Sequence, residues 1–212
     1  MKRNGYTIAE ILITLTIIGV VAMLTIPTLV SNYRKRVYTT TLSTAIANFE
    51  NALTTTIMKN NVDNLFLVRA WQNGGNELLS NLNIAYSKAS FDEEENSYNI
   101  VMKNGTVYNF TIQTSDPNSL PEERIMELGT NLRENAGDLT IDINGKSKPN
   151  SLGRDTFNFI IGSDGRLYPI GGKDWSIYND KPIATLKTEC IYNNNMDFCG
   201  AYLIENGYRM NY

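Results

Sequence analysis

Three groups of residues in this chain of 212 have the types and spacing to do chemistry. The first is Glu10, the one carboxylate in a run from Ile8 to Val30 otherwise made of apolar residues, Ala, Thr, Gly and Pro. A carboxylate within a membrane-length apolar run is expensive to bury unless it is paired, so Glu10 is a functional candidate by position alone. The second is the chain's only two cysteines, Cys190 and Cys199, which read as a disulfide if this part of the chain is exported. The third is the stretch Asp142-Ile143-Asn144-Gly145 with Pro149-Asn150 and Gly153-Arg154-Asp155. Asp142, Asn144 and Asp155 offer hard oxygens that suit calcium, with Asn150 or a backbone carbonyl to complete the shell. The same residues also suit a connection built from Asx turns, and the Gly-x5-Glu of an EF-hand is missing. No cofactor is required by any other feature of the chain.

The composition narrows the classes of function. There is no histidine, which removes Ser-His-Asp and Cys-His catalysis, HExxH zinc chemistry and imidazole proton relays together. With no recognisable nucleophile motif either, an enzyme is not expected. The net charge is −3, and loss of Lys2 and Arg3 with a leader would leave 17 of the 19 basic side chains against 22 acidic ones, or −5. That sign gives no support to nucleic-acid binding, which normally shows a basic surface.

The element that must position Glu10 is the N-terminal apolar run. Residues 1–5, Met-Lys-Arg-Asn-Gly, form a short basic leader, and the run to Val30 exceeds the roughly 20 residues needed to cross a bilayer as a helix. A secretory signal peptide would be shorter and end in a small-x-small cleavage site, whereas Ser31-Asn32-Tyr33-Arg34-Lys35-Arg36 follows here. A plain signal anchor leaves Glu10 without a role. The basic cluster Arg34, Lys35 and Arg36 outweighs Lys2 and Arg3, so the positive-inside rule by itself favours the opposite orientation to a cytoplasmic leader.

Gly5-Tyr6-Thr7-Ile8-Ala9-Glu10 and the apolar run after it resemble the prepilin peptidase motif of type IV pilins and type II secretion pseudopilins. In that family the cut falls after the Gly, the new N-terminal residue is usually Phe and is N-methylated, and Glu stands fifth in the mature chain. Tyr6 takes the Phe place, and Glu10 is fifth counting from Tyr6. Tyr for Phe and the small Ala9 are mild departures. Gly19 and Pro27 fall fourteenth and twenty-second, where the family often carries helix-softening residues. The close resemblance covers about residues 1–60. It implies processing at Gly5 and Tyr6 by a prepilin peptidase, and insertion in the bacterial inner membrane as a single pass with the head outside the cytoplasm. It further implies delivery by an inner-membrane assembly platform into a helical polymer with other pilin or pseudopilin subunits. Assembly would rest on Glu10, Gly19 and Pro27, with Glu10 of one subunit meeting the Tyr6 amine of a neighbour. The Cys190–Cys199 bridge would then bound a variable surface region. The competing function is a single-span anchored binding module or adhesin that never polymerises.

Downstream, apolar residues at Leu42, Ala45, Ile46, Phe49, Leu53 and Ile57 keep helical spacing. One helix is therefore expected from about Thr7 to Lys59, roughly 80 Å long. The expected segments are a leader at 1–5, a transmembrane half at 6–30, an amphipathic stalk at 31–60 and a globular head at 61–212. In the head, a short helix is expected near Glu77–Leu82 after a Gly74-Gly75 loop, followed by a solvated acidic run from Asp92 to Glu95. Tyr98–Met102 and Val107–Ile112 read as a hairpin closed by a type I′ turn at Asn104-Gly105. Leu139–Ile143 reads as a strand, and Thr156–Ile161 with Arg166–Ile170 as a second hairpin around Ser163-Asp164-Gly165. Tyr202, Tyr208 and Tyr212 read as packing residues. A long helix followed by antiparallel strands is an α+β pattern, and it matches a pilin-like architecture.

Overall fold

The computed structural model describes residues 5–63, 65–68, 76–82, 86–92, 97–112, 135–172, 181–193 and 195–212. The Gly74-Gly75 loop and the acidic run beyond Asp92 lie outside them. The chain divides into two units, residues 1–37 and Tyr38–Tyr212.

Helix α1 runs from Ile8 to Lys59. Its outer part carries Leu42, Ala45, Ile46, Phe49, Ala52, Leu53 and Thr56 as buried residues, recurring every three or four positions along one face. A one-turn 3-10 helix, Leu65–Leu67, and helix α2, Asn76–Leu82, follow. Asn81 Nδ2 of α2 donates to Thr56 Oγ1 of α1 at 2.7 Å.

Six strands come next in the described chain: β1 Tyr86–Asp92, β2 Ser97–Met102, β3 Val107–Thr111, β4 Asn135–Asp142, β5 Thr156–Gly162 and β6 Leu167–Pro169. They form one sheet in sequence order, antiparallel throughout. Register explains the core. Phe91, Tyr98, Phe110, Leu139, Phe159 and Pro169 stand in one cross-strand row, and Ile100, Tyr108, Ile141 and Phe157 in the next. Apart from Phe91 and Pro169 at its two ends, these rows join Leu42, Ala45, Ile46, Phe49 and Leu53 of α1 in a single apolar cluster. Phe49 is its centre on the helix side, with ring centroids 5.3 Å from Tyr108 and 5.4 Å from Phe110. Two polar bonds add direction. Tyr108 Oη donates to the Ala45 carbonyl at 3.0 Å, and the β6 edge donates from Leu167 N–H to Glu50 Oε1 at 3.0 Å. Burial pushes the Tyr108 phenol well up, so it stays a neutral donor.

Both hairpins fall where the sequence places them, but the Asn104-Gly105 turn is not type I′. That turn needs positive φ at both central residues, and here only Gly105 (φ +91°) has it. Gly105 N–H instead donates to Met102 O, and Met102 N–H to Thr106 O, giving a type I turn followed by a glycine bulge. The β5–β6 turn repeats this design, with Gly165 at φ +82° and Gly162 N–H donating to Arg166 O. In each turn the Asx side chain before the glycine accepts from the residue after it, Asn104 from Thr106 N–H and Asp164 from Arg166 N–H.

Two helices close the chain, α3 Ile183–Ile191 and α4 Phe198–Glu205, neither of which the sequence reading anticipated. The Cys190–Cys199 disulfide joins them and is buried with Leu186, Ala201 and Tyr202. The tail packs back on the head: Tyr212 Oη donates to Gly153 O and Tyr202 Oη to Asn211 Oδ1, each at 2.7 Å. The expected packing role of these tyrosines therefore holds.

Candidate functional site

The residues singled out at the N-terminus lie on the first turns of α1. Gly5 to Thr7 precede the helix, and Tyr6 is 85% exposed, so the Gly5–Tyr6 bond sits in exposed backbone outside the helix. Thr7 is the residue before the first helical position, and Glu10 is the third position inside it. Thr7 N–H and Thr7 Oγ1 each donate to Glu10 Oε2 at 2.8 Å, while Glu10 N–H donates to Thr7 Oγ1 at 3.3 Å. This reciprocal pattern is a capping box, which satisfies helix-end donors that would otherwise be orphaned. The sequence reading missed it, although the signal, Thr-x-x-Glu before an apolar run, is on the page. Glu10 thus has a local role that needs no neighbour. All the hydrogen bonds to its carboxylate among the described residues fall on Oε2.

From Gly5 to Val37 no residue is buried. The large apolar side chains are open, among them Ile8 at 79%, Met23 at 78% and Leu24 at 70%. The polar atoms inside this stretch turn inward instead. The hydroxyls of Thr14, Thr16, Thr25 and Thr28 donate to the carbonyls of Ile11, Leu12, Val21 and Thr25 at 2.8–2.9 Å. Between Ile11 and Val30 the surface is therefore apolar side chains with every hydroxyl spent on the helix's own backbone. That is what a helix needs in hydrocarbon. α1 is the one helix among the described residues that is long and apolar enough to cross a membrane.

A Cβ added at Gly19 would meet nothing within 4 Å, so this glycine leaves an open notch and relieves no clash within the chain. α1 is helical on both sides of Pro27 and through it, so this proline does not melt the helix. Proline removes one N–H from the ladder, and the turns on either side hold.

Of the oxygens proposed for calcium, those of Asp142 and Asp155 accept backbone N–H groups, whereas Asn144 Oδ1 is buried and accepts no hydrogen bond among the described residues. Asp142 Oδ1 accepts from Asn144 N–H at 3.1 Å and Gly145 N–H at 2.7 Å. Asp155, fully buried, accepts from Asn150 N–H at 2.8 Å and Ser151 N–H at 2.6 Å, one bond to each oxygen. Asn144 Nδ2 points to Lys148 O at 3.4 Å. Asp142 thus closes an Asx turn, and Asp155 ties the backbone of Asn150 and Ser151 back to the start of β5. Backbone N–H groups already engage both carboxylates. Among the described residues no group of three or more His, Cys, Asp or Glu is placed to hold a metal. Burial, with the neighbouring Asp155 charge, pushes the Asp142 carboxyl above its usual range despite the two N–H bonds that lower it.

No protein-family model, curated protein or solved structure matches this chain.

Proposed function

We propose that this protein is a structural subunit of a prepilin-processed filament, a type IV pilus or type II secretion pseudopilus. It is cut after Gly5, held in the inner membrane by α1, and polymerised through that helix. The observation that carries the reading is the division of α1. No residue from Gly5 to Val37 is buried, while from Thr39 onward the same helix supplies one wall of the head's core. A plain membrane tether has no need to enter the core of the domain it carries. A filament subunit does, because the helix must hand axial force directly to the head. Glu10 then has a second partner in prospect, the Tyr6 amine of a neighbouring subunit, a pair much stronger in low dielectric than in water. One observation favours the anchored-module alternative. The capping box already accounts for Glu10, so its presence in the span does not require a neighbour.

Intact mass and N-terminal sequencing of the protein from its native membrane test the proposal. A chain that starts at Tyr6 and carries one extra methyl group supports processing. A chain that starts at Met1 or Lys2 in cells with an active prepilin peptidase overturns it and leaves the anchored module.

A further inference from the structure

We infer that the sheet of the head has a basic end, and that this end docks the acidic run Glu93-Glu94-Glu95 of a second copy of the chain. The inference names a contact within the filament and rests on the filament reading above. Strand pairing defines the end. Met102 closes β2 and Val107 opens β3, so the 103–106 turn stands where Asp142 leaves β4 and Thr156 opens β5. The two connections meet there: a Cβ added at Gly145 would stand 2.7 Å from the Gly105 carbonyl oxygen. Together they carry Lys103, Lys146, Lys148 and Arg154, and Lys88 of β1 pairs with Val101 at the same end. All five cations are exposed, and none makes an ion pair among the described residues. The carboxylates beside them, Asp142 and Asp155, are engaged by backbone N–H groups, and Asp155 is fully buried.

Glu93, Glu94 and Glu95 belong to the opposite end. In the chain they fall between Asp92 and Ser97, which pair across β1 and β2. β2 is six residues long, so Ser97 stands about 17 Å from Met102. The chain from Asp92 must go out and return to Ser97, so at about 3.6 Å per residue its backbone extends about 9 Å at most from that end. The run therefore falls short of its own basic end, and a second copy brings it there. A head with opposite signs at its two ends complements itself, and each docked copy leaves one basic and one acidic end for the next. Such a heterologous contact builds an open helical polymer unless its rotation closes a ring. It also orients the encounter, because like ends repel. A long polyanion, the other chemistry a basic end could take, would meet repulsion from the acidic excess of the whole chain, 22 acidic against 19 basic side chains.

The test treats sheared filaments with a carbodiimide, which joins lysine amines directly to carboxylates in contact. Covalent dimers are expected whose peptide mass map links Glu93, Glu94 or Glu95 to Lys146 or Lys148. This is read on the unaltered chain, so it decides the matter even where a variant fails to fold. The charge reversals E93K/E94K/E95K and K146E/K148E/R154E are each expected to lower filament incorporation about tenfold, and the chain carrying all six changes to recover most of it, because the swapped charges pair again. Wild-type filaments that yield no such linked peptides overturn the inference, as does normal incorporation of both reversals. So does a combined variant whose head folds but whose incorporation stays low. If the basic end takes a polyanion instead, K146E/K148E/R154E fails while E93K/E94K/E95K assembles normally, which also overturns it. The two levels of failure are distinct. A wild-type chain that starts at Tyr6 and enters filaments without these links overturns the contact alone, whereas one that starts at Met1 and is absent from sheared filaments overturns the filament reading too.

Discussion

Phe49→Ala tests whether the outer part of α1 belongs to the head's core. Phe49 has no exposed surface, and its ring contacts Tyr108 at 5.3 Å and Phe110 at 5.4 Å, the latter edge-on. Truncating a buried Phe to Ala removes transfer energy and leaves a cavity, together about 3–5 kcal/mol. Two aromatic contacts place the change in the middle of that range, about 4 kcal/mol. For a unit of this size each kcal/mol moves the melting temperature by about 2–4 °C, so the expected fall is about 8–16 °C. The assay is thermal unfolding of the full chain in detergent, followed by near-ultraviolet circular dichroism, which reports the packed tyrosines of the head. Leu24→Ala, on the unburied stretch of α1, serves as control and is expected to leave the head's transition in place. Tyr108→Phe should fall between them, at about 1 kcal/mol, because it loses only the bond to the Ala45 carbonyl. A shift of less than about 3 °C for Phe49→Ala would refute the reasoning, because the helix would then be a tether that leans on the head without completing its core.

The other predictions concern the candidate sites. Glu10→Gln keeps the capping box, since Gln is accepted at that position, but removes the charge; Glu10→Ala removes both. If Glu10 pairs with a neighbour's amine, both variants should lose filament incorporation on immunoblots of sheared filaments while the head stays folded, and normal incorporation of Glu10→Gln would reduce Glu10 to a helix cap. Asp142→Asn should be neutral or stabilising at pH 7, because an amide oxygen still accepts from Asn144 and Gly145. The raised carboxyl binds protons more readily in the folded state, so it favours folding at low pH and loses that contribution as pH climbs above the ordinary value of 3.8. The variant should flatten this part of the stability profile in urea titrations at stepped pH. Asp155→Asn should instead destabilise by about 1–3 kcal/mol in the same titrations, since one buried acceptor becomes a donor facing an N–H. Added calcium should leave the melting temperature unchanged, and a rise that chelator reverses would restore the cation reading of this loop. Reducing the Cys190–Cys199 bridge should cost about 2–3 kcal/mol and loosen α3 against α4, visible as faster hydrogen exchange in both helices.

The parts of this fold that a single sequence discloses are those governed by one strong local signal. α1 was legible because a membrane-length apolar run is followed, after residues 31–36, by helical spacing from Leu42 to Ile57, and its ends fell within a residue of expectation. The β2–β3 and β5–β6 hairpins were legible because an Asx-Gly pair sits between alternating apolar residues. The turn type was not, because Asn-Gly satisfies a type I turn with a glycine bulge as readily as a type I′ turn, and strand register chooses between them. β1 was missed because its described side chains, Lys88 to Asp92, are all exposed, so burial imposes no alternation. It is a strand only because β2 offers it an edge. α3 and α4 were missed for a different reason. Each is short, and the buried residues Leu186, Cys190, Cys199 and Tyr202 owe their cluster to the disulfide and the tail, which are tertiary facts.

Glu10 shows how a local and a remote role can share one side chain. The two donors from Thr7 converge on Oε2 and no hydrogen bond among the described residues reaches Oε1, so the cap occupies half of the carboxylate and fixes the orientation of the rest. A carboxylate held in this way costs less conformational entropy when a cation arrives than one that swings freely. In the proposed filament subunit the same cap would shield the charge while the chain stands alone in lipid, where an unpartnered carboxylate is driven to protonate or to pull the helix toward the surface. Under that proposal a capped Glu10 is stable before assembly and oriented for it. On this view Thr7→Val should weaken filament incorporation without abolishing it, since Glu10 keeps its charge and the backbone N–H of residue 7 and loses only the hydroxyl donor. Thr7→Ser, which keeps both donors to Oε2, should restore it.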